Sequence, residues 1–352
     1  MLYEKIIRPI LFKNDPEFAH EMSVSLLNFA SKFSPIYKTL EKLSRYSYDK
    51  PISLFGLDFP NAVGLAAGLD KDAEFIPMSQ ALGFGHVEVG TVTPIKQPGN
   101  PQPRLFRYPE SESIINRFGF NNKGADSMLS RLQKLPPKSS RKVPIGINIG
   151  KGKATLLEDA TQDYLTCFKQ LADYGDYFAI NISSPNTSGL RSLQGKEYLG
   201  ELLNSLQAEN RARTKKMGNA RIPILLKISP DLSFTELDDV LEAILEAEID
   251  GIIATNTTIN REGPLSKYAE VGGLSGKLLC NRSDDTIKYV AQVTNGKLPI
   301  IGVGGIHNVE AAAKKMDLGA SLVQIYSGFI YKGPGFINKL AKGLEPHTKP
   351  WF

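Results

Sequence analysis

The sequence predicts an α/β protein in which strands and helices alternate along most of the chain. After residue 60, short β-rich runs are followed by longer helical stretches, and eight such pairs occur before the C-terminus. Runs such as Ile145-Gly-Ile-Asn-Ile149 are continuously apolar, as expected for parallel strands covered on both faces. Eight βα units predict a parallel (β/α)8 TIM barrel with a small N-terminal helical extension. A doubly wound open sheet is the alternative.

The first element is the N-terminal extension, which we assign to residues 1–45, with the barrel assigned to 46–352. Asn14-Asp15-Pro16 divides this segment into two predicted helices, because Asp15 can cap and Pro16 can occupy a first turn. Each helix carries an apolar stripe flanked by Lys and Arg. The stripes comprise Leu2, Ile6, Ile7, Ile10 and Leu11, and Phe18, Met22, Leu26, Phe29, Ala30 and Phe33. Such stripes suit either packing on the main core or a monotopic membrane element with its cations toward anionic headgroups.

The eight strand and helix pairs follow in order. We place the strands near residues 62–66, 86–90, 145–149, 177–182, 222–228, 251–254, 300–303 and 321–325. We place the helices near residues 73–82, 125–133, 161–174, 200–211, 234–248, 283–295, 308–318 and 336–344. Two insertions, 93–122 and 259–276, follow strand ends and therefore lie at the top of the barrel, where long loops are usually functional.

Composition excludes several classes of protein. The 352 residues include 42 Lys and Arg against 37 Asp and Glu, an ordinary globular content with a net charge of +5. Two distant cysteines and four histidines form no disulfide framework and no metal site. No apolar run approaches the roughly 18 residues of a membrane span, and no secretory signal is recognisable, so we expect neither an exported nor an integral protein. The basic residues between 211 and 221 lack interleaved aromatics, so no nucleic-acid partner is expected.

Polar residues stand at nearly every predicted strand end, where barrels place their chemistry. They include Asp70, Lys71, Thr91, Asn148, Asn181, Lys227, Thr255, Asn256, Tyr326 and Ser327. So many amides, hydroxyls and lysines are costly to bury without partners, which predicts a large polar ligand. Gly304, Gly305 and Gly328 follow the last two strands, where barrels commonly hold a phosphate. The spacing of the glycines matches neither a P-loop nor a dinucleotide fingerprint, which disfavours ATP and NAD.

Lys71 and Lys227 are predicted to point into one pocket, with no inward carboxylate evident beyond Asp70. Lys227 on its strand could form a Schiff base with a carbonyl substrate. It could equally stabilise charge on a bound cofactor. The residues alone leave both alternatives open.

Motifs along almost the whole chain resemble the class 2, quinone-dependent dihydroorotate dehydrogenases. They begin with Gly64-Leu-Ala-Ala-Gly-Leu-Asp-Lys71, Pro103-Arg-Leu-Phe-Arg107 and Ile115-Asn-Arg-Phe-Gly-Phe-Asn-Asn122. They continue with Asn181-Ile-Ser-Ser-Pro-Asn186, Ile253-Ala-Thr-Asn-Thr-Thr258, Pro299-Ile-Ile-Gly-Val-Gly-Gly305 and Gln324-Ile-Tyr-Ser-Gly-Phe329. The resemblance implies an FMN-binding barrel that oxidises dihydroorotate to orotate in pyrimidine biosynthesis.

The resemblance also implies where the two small molecules bind. FMN is expected on Ala67, Gly68, Leu69, Asp70, Lys71, Thr91, Asn148, Asn181, Lys227, Thr255, Gly276, Gly305, Tyr326 and Ser327. Dihydroorotate is expected on Lys71, Asn116, Asn181, Asn186, Asn256 and Thr257, and on the backbone of Arg117, Phe118, Gly119 and Phe120. Amides and a threonine hydroxyl suit the edges of a cyclic imide, and Lys71 suits its carboxylate.

Ser184 matches the position of the catalytic base in this family. Class 1 enzymes carry Cys there, so the serine indicates class 2. Serine is a poor base, and Thr187 is the matching relay through an ordered water. Lys227 is expected to stabilise the anionic reduced flavin.

Reoxidation by a membrane quinone, ubiquinone or menaquinone, would explain the amphipathic N-terminus. The matching residues are His20, Arg107 and Tyr326. The expectation is a monomer bound peripherally to the cytoplasmic side of an anionic membrane surface. Rival hypotheses are a Schiff-base lyase using Lys227, a soluble class 1-like FMN oxidoreductase and a non-catalytic membrane-surface binder.

Overall fold

A computed structural model of the chain describes residues 2–44, 46–187, 189–218, 220–261 and 266–348. The strands are β1 (Ile52–Leu54), β2 (Leu57–Phe59), β3 (Val63–Leu65), β4 (His86–Val92), β5 (Leu105–Tyr108), β6 (Ser113–Asn116), β7 (Ile145–Ile149), β8 (Tyr177–Asn181), β9 (Ile224–Ile228), β10 (Gly251–Ala254), β11 (Gly273–Gly276), β12 (Ile300–Val303) and β13 (Leu322–Ile325). The helices are α1 (Arg8–Phe12), α2 (Pro16–Ser31), α3 (Ser34–Ser44), α4 (Ile76–Ala81), α5 (Ala125–Leu132), α6 (Ala160–Leu171), α7 (Lys196–Met217), α8 (Phe234–Glu246), α9 (Cys280–Val293), α10 (Val309–Asp317), α11 (Ser327–Lys332) and α12 (Gly335–Leu344).

Eight of these strands close into one barrel. Its order is β3, β4, β7, β8, β9, β10, β12 and β13, and β13 pairs with β3 to complete the ring. Every neighbouring pair is parallel. The eight predicted strands and the (β/α)8 barrel are therefore confirmed, and the open sheet is excluded.

The N-terminal segment holds three helical elements where the sequence predicts two. A π-helical turn over Tyr3–Ile7 continues into α1, and α2 begins after Asp15 as expected. The Asp15 side chain accepts hydrogen bonds from the backbone N–H groups of Glu17 and Phe18, both at 2.9 Å. The prediction missed α3, because the helical pattern breaks again at Phe33 and Pro35 then occupies the first turn of a new helix.

The two predicted insertions come together in one small sheet. Strands β5 and β6 from the first insertion and β11 from the second form an antiparallel sheet in the order β11, β6, β5. The sheet carries Asn116 and Gly276 to the rim of the barrel. At the opposite end, the hairpin of β1 and β2 brings Phe55 against Gly251, where β10 begins.

Close packing fills the barrel interior with large rings. A Cβ on Gly146 of β7 would lie 2.1 Å from the ring Cζ of Tyr177, so only glycine leaves room for that tyrosine. Below it, Phe59 meets the ring of His86 edge-on at a centroid distance of 5.4 Å. The lower barrel is thus a packed core, and the space for a ligand lies above it.

The apolar stripes of the N-terminal helices face outward. Most stripe residues are exposed, including Leu2, Ile6, Ile7, Ile10, Phe18, Met22, Leu26, Phe29 and Phe33. The opposite face of α2, with Val24 and Leu27, packs against the main core, and Ala30 is the stripe residue of this helix that joins it. Core packing therefore does not account for these stripes. Among the described residues, no helix combines the length and apolar character needed to cross a membrane.

Candidate active site

A cavity opens at the carboxyl ends of the barrel strands. It encloses about 1030 Å³ of empty space, counting the part open to solvent. Nineteen of the predicted site residues line it: Ala67, Gly68, Lys71, Thr91, Asn116, Phe118, Gly119, Phe120, Asn181, Ser184, Asn186, Lys227, Thr255, Asn256, Thr257, Gly276, Gly305, Tyr326 and Ser327. The structure thus gathers into one pocket residues that are spread over 260 positions of the chain (327 − 67).

Several predicted residues lie outside the cavity wall. Both carboxylate oxygens of Asp70 accept hydrogen bonds from backbone N–H groups, those of Glu74 at 2.7 Å and Phe75 at 3.0 Å. Burial raises the pKa of Asp70 to about 7. Asp70 therefore fixes the turn into α4. Leu69 is buried beside it and lines a second cavity instead.

The Arg117 side chain also points away from the predicted substrate. Its guanidinium forms an ion pair with Glu270 at 2.7 Å and lies 4.5 Å from the ring centroid of Phe106. These contacts join the two insertions. The prediction for Arg117 concerned its backbone, whose carbonyl accepts a hydrogen bond from the Asn100 side chain at 2.9 Å.

A chain of side-chain hydrogen bonds forms the cavity floor. The Asn181 amide donates to the Thr91 hydroxyl at 2.9 Å, and that hydroxyl donates to Asn148 Oδ1 at 2.5 Å. Asn148 does not line the cavity, so it supports the floor from below. Because its oxygen faces Thr91, its Nδ2 must face downward, where it donates to Glu88 at 2.9 Å.

Glu88 corrects the expectation that no inward carboxylate exists beyond Asp70. Its side chain is fully buried inside the barrel, and Lys227 Nζ lies 3.5 Å from its Oε1. The carboxylate also accepts from Gln324 Nε2 at 2.9 Å and from the Tyr177 hydroxyl at 3.3 Å. Polar residues at alternate positions of a strand, His86 and Glu88, were the sequence signal for this inward face.

The glycines after β12 shape part of the cavity wall. Gly304 and Gly305 have φ values of +121° and +73°, which favour glycine, and a Cβ on Gly305 would lie 2.3 Å from Cys280 Cα. Nearby, the hydroxyls of Ser275 and Ser327 are 2.8 Å apart. Bare backbone with hydroxyl donors suits an anionic group such as a phosphate.

Gly304 and Gly328, predicted to hold a phosphate, also line the cavity. Its further lining residues, which sequence reasoning did not assign, are Ala66, Ser275, Leu279, Val303, Ile306, Gln324 and Ile325. Gln324 is the informative one, because its Oε1 is buried without a hydrogen-bond partner in the described structure. A single amide in the apolar run of β13 was the signal that could have identified it.

The cavity wall also carries a cation and amides. Lys71 Nζ lies 3.7 Å above the ring centroid of Phe118, and burial lowers the pKa of Lys71 to about 8. Asn186 Nδ2 donates to the Asn116 carbonyl at 3.1 Å, and Asn256 Nδ2 donates to Asn181 Oδ1 at 3.2 Å. This arrangement can bind a small anion that has amide edges.

Ser184 and Thr187 lie on the loop that follows β8. Ser184 is 6% exposed, and its Oγ accepts a long hydrogen bond of 3.3 Å from the Asn186 backbone. Thr187 does not line the cavity, and its buried hydroxyl has no hydrogen-bond partner among the described residues. Cys167 lies on α6 and Cys280 begins α9, so neither cysteine replaces Ser184 at the cavity wall.

The three residues predicted for the quinone occupy separate surroundings. Tyr326 lines the main cavity, whereas His20 lines a second cavity between α2 and the barrel, with Lys71 in both. The His20 and Phe118 ring centroids are 6.5 Å apart, and burial lowers the pKa of His20 to about 3. Arg107 lines neither cavity; it donates to the carbonyl of Phe12 at 3.4 Å and lies 4.4 Å from that ring's centroid.

Comparison with known proteins identifies the family. Residues 51–347 match the family described as dihydroorotate dehydrogenase. A protein of Christiangramia forsetii named dihydroorotate dehydrogenase (quinone) is 49% identical over 97% of this chain and 100% of its own length. A protein of the same name from Idiomarina loihiensis is 47% identical over 96% of this chain and 99% of its own length.

Solved structures agree with the sequence comparisons. The crystal structure of the Eimeria tenella dihydroorotate dehydrogenase in complex with ferulenol superimposes with a TM-score of 0.82 at 36% identity. That match covers 94% of this chain and 90% of the other. The ligand-free structure from the same organism has a TM-score of 0.81 at 37% identity and covers 94% of each chain. The chain therefore belongs to the dihydroorotate dehydrogenase family, a family of flavin-dependent oxidoreductases.

Proposed function

We propose that this chain is a quinone-dependent dihydroorotate dehydrogenase that uses FMN and works at a membrane surface. The observation that carries the proposal is the cavity itself, whose wall combines glycines suited to a phosphate, the buried Lys227, and Lys71 with several asparagine amides. Relatives that match nearly the full length bear the same functional name, quinone acceptor included.

The donor set of the cavity fits FMN. Gly304 and Gly305 offer backbone at the end where a phosphate would lie, and Lys227 with the Gln324 and Asn181 amides suits a heterocycle. The unpartnered Oε1 of Gln324 is an acceptor that a ring N–H could satisfy. When bound, FMN supplies the redox chemistry, accepting a hydride from dihydroorotate and passing electrons to the quinone.

Lys71 and the four asparagines would bind dihydroorotate. The Lys71 ammonium would pair with the carboxylate of the substrate. The amide and carbonyl edges of the ring would form hydrogen bonds with Asn116, Asn181, Asn186 and Asn256. Their mutual hydrogen bonds hold them in place before the substrate arrives. Phe118 shields the Lys71 ammonium on one side, which lowers the local dielectric and strengthens its attraction for an anion.

Ser184 would remove a ring proton as the hydride leaves. Its hydroxyl is buried at the cavity wall and makes one long hydrogen bond to the backbone, so it is free to approach the substrate. A serine needs a route for its own proton. The buried, unpartnered hydroxyl of Thr187 is a site where an ordered water could complete that route.

The outward apolar face of the N-terminal helices supports peripheral binding to a membrane, and the proposal places this binding on the cytoplasmic side. Exposed residues such as Leu26 and Phe29 belong to a helix that Lys32 follows directly, and apolar residues with a flanking cation suit anionic lipid. His20, Arg107 and Tyr326 lie between these helices and the cavity or line it. A quinone could therefore approach from the lipid while dihydroorotate enters from water.

The absorption spectrum of the purified protein tests the cofactor, since bound flavin absorbs between about 350 and 500 nm. Anaerobic dihydroorotate should bleach that absorption, and a quinone should restore it. A colourless protein trapped by borohydride on Lys227 would support the lyase instead. Binding to liposomes without any flavin would support a non-catalytic membrane binder. Turnover with soluble acceptors but not with quinone would support the class 1-like alternative.

A further inference from the structure

The inside of the barrel, below the cavity, holds an ionised carboxylate that no step of the proposed reaction uses. Glu88 accepts hydrogen bonds from Asn148 Nδ2, Gln324 Nε2 and the Tyr177 hydroxyl. These donors come from β7, β13 and β8, three different strands, so they meet across the barrel interior.

The hydrogen bonds indicate that Glu88 carries its charge. The orientation of Asn148 is fixed independently, because its Oδ1 accepts from Thr91 at 2.5 Å and from Asn181 at 3.3 Å. Its Nδ2 must therefore donate to Glu88. Both oxygens of Glu88 thus face donors, and an ionised carboxylate is an acceptor only.

Lys227 stands between this carboxylate and the cavity. Its Nζ is 3.5 Å from Glu88 Oε1, its side chain is 6% exposed, and it lines the cavity that the proposed function assigns to FMN. Lys227 and Glu88 form a buried pair in which the positive end faces the ligand. The potential that a ligand experiences is then the sum of both charges, not that of the lysine alone.

We propose that Glu88 is a positioning residue that places Lys227 and reduces the positive potential it presents to the flavin, thereby setting the reduction potential of the bound cofactor. The proposal rests on the proposed function. Reduction adds negative charge to a flavin, so a nearby cation favours the reduced form and a carboxylate behind it opposes that effect. Glu88 would hold the potential low enough for the electrons to continue to a quinone.

The test measures the midpoint potential of FMN in the holoenzyme by spectroelectrochemistry. Glu88→Gln keeps the side-chain volume and removes the charge, so the potential should rise. We expect a shift of at least tenfold in the two-electron equilibrium, which corresponds to about 30 mV. Reduction by dihydroorotate should be retained, while reoxidation by quinone should slow. Tyr177→Phe is the matched control, because it removes one hydrogen bond from the same carboxylate without changing any charge; its potential should stay near that of the wild type.

Two further variants separate tuning from stability. Glu88→Asp keeps the charge but withdraws it from Lys227, and should raise the potential less than Glu88→Gln does. In a Lys227→Met background no ammonium is left for the carboxylate to position or offset, so adding Glu88→Gln should raise the potential less than it does in the wild type.

Flavin-loaded Glu88→Gln and Glu88→Asp proteins with wild-type potentials would overturn the proposal. If neither protein folds with flavin bound, the carboxylate serves barrel stability and the proposal also falls. A wild-type protein without flavin would instead contradict the proposed function.

Discussion

The affinity for orotate should depend on pH through Lys71. Burial lowers the pKa of Lys71 to about 8. Only the protonated ammonium can neutralise the ligand's carboxylate. The affinity for orotate should therefore be highest well below pH 8 and should decrease as the pH rises above 8. Titration from this pKa of about 8 predicts that the dissociation constant, relative to pH 6, rises about twofold at pH 8 and about tenfold at pH 9.

Orotate titrations followed by the flavin spectrum would measure this dependence without involving the proton-transfer step. Lys71→Arg is the control, because a guanidinium stays charged over the whole range and its profile should be flat. Its absolute affinity should be lower, since the planar group cannot occupy the same point above Phe118. A wild-type dissociation constant that stays constant up to pH 10 would refute the assignment of Lys71 to the carboxylate.

Four other outcomes are expected. Ser184→Ala should retain FMN but lose about 10²–10⁴-fold in the rate of flavin reduction measured in a single turnover, with a smaller loss in Thr187→Ala. Lys227→Ala should retain FMN less well and be reduced more slowly in the same assay, and Lys227→Arg should not restore either property. A protein beginning at Ser47 lacks the exposed stripes, so flotation with anionic liposomes and rapid reduction of a long-chain quinone should both be lost while dihydroorotate still reduces the flavin. Burial lowers the pKa of His86 in the folded protein to about 3, so the unfolded chain binds a proton more readily. The free energy of unfolding should therefore be highest above pH 6.5 and lower by about 2 kcal/mol at pH 5, as measured by denaturant titration.

A specific result would contradict each of these predictions. Undiminished reduction in Ser184→Ala would remove that residue from the base role, and normal flavin retention with normal reduction in Lys227→Ala would remove that lysine from the flavin site. Full quinone activity without the N-terminal helices would make them packing elements. For His86, the stability difference between wild type and His86→Gln should change between pH 8 and pH 5; a constant difference would mean that the histidine does not titrate with unfolding.

The barrel strands were predictable because burial on both faces leaves a distinctive pattern. Strands such as Ile145–Ile149 and Gly251–Ala254 are short, continuously apolar and bounded by polar residues. The small antiparallel sheet was not predicted, since β11 pairs with a strand about 160 positions earlier and neither segment is strongly apolar. Pairing between distant loops depends on the closed barrel that brings them together, and no local pattern encodes it.

The cavity residues were largely accessible from the sequence, whereas their supports were not. Lys227 and Asn181 stand at strand ends, where a polar residue is conspicuous. Glu88 lies one layer deeper and Gln324 lines the cavity above it; both stand within apolar runs, where a polar residue is a weaker signal than at a strand end. For Arg117 the motif indicates only where the backbone lies, and the side chain pairs instead with Glu270.

The ion pair of Glu17 and Arg104 fixes how the N-terminal helices sit on the barrel. Arg104 donates to both Glu17 oxygens, at 2.7 Å from Nη2 to Oε1 and at 3.1 Å from Nε to Oε2, and to the carbonyls of Pro98 and Asn100. Both side chains are at least nine-tenths buried, so this junction is rigid rather than a flexible tether. A protein held this way would be oriented on the membrane as well as bound to it. A quinone then reaches the protein by diffusion within the plane of the membrane. The protein does not have to rotate before the two can meet productively.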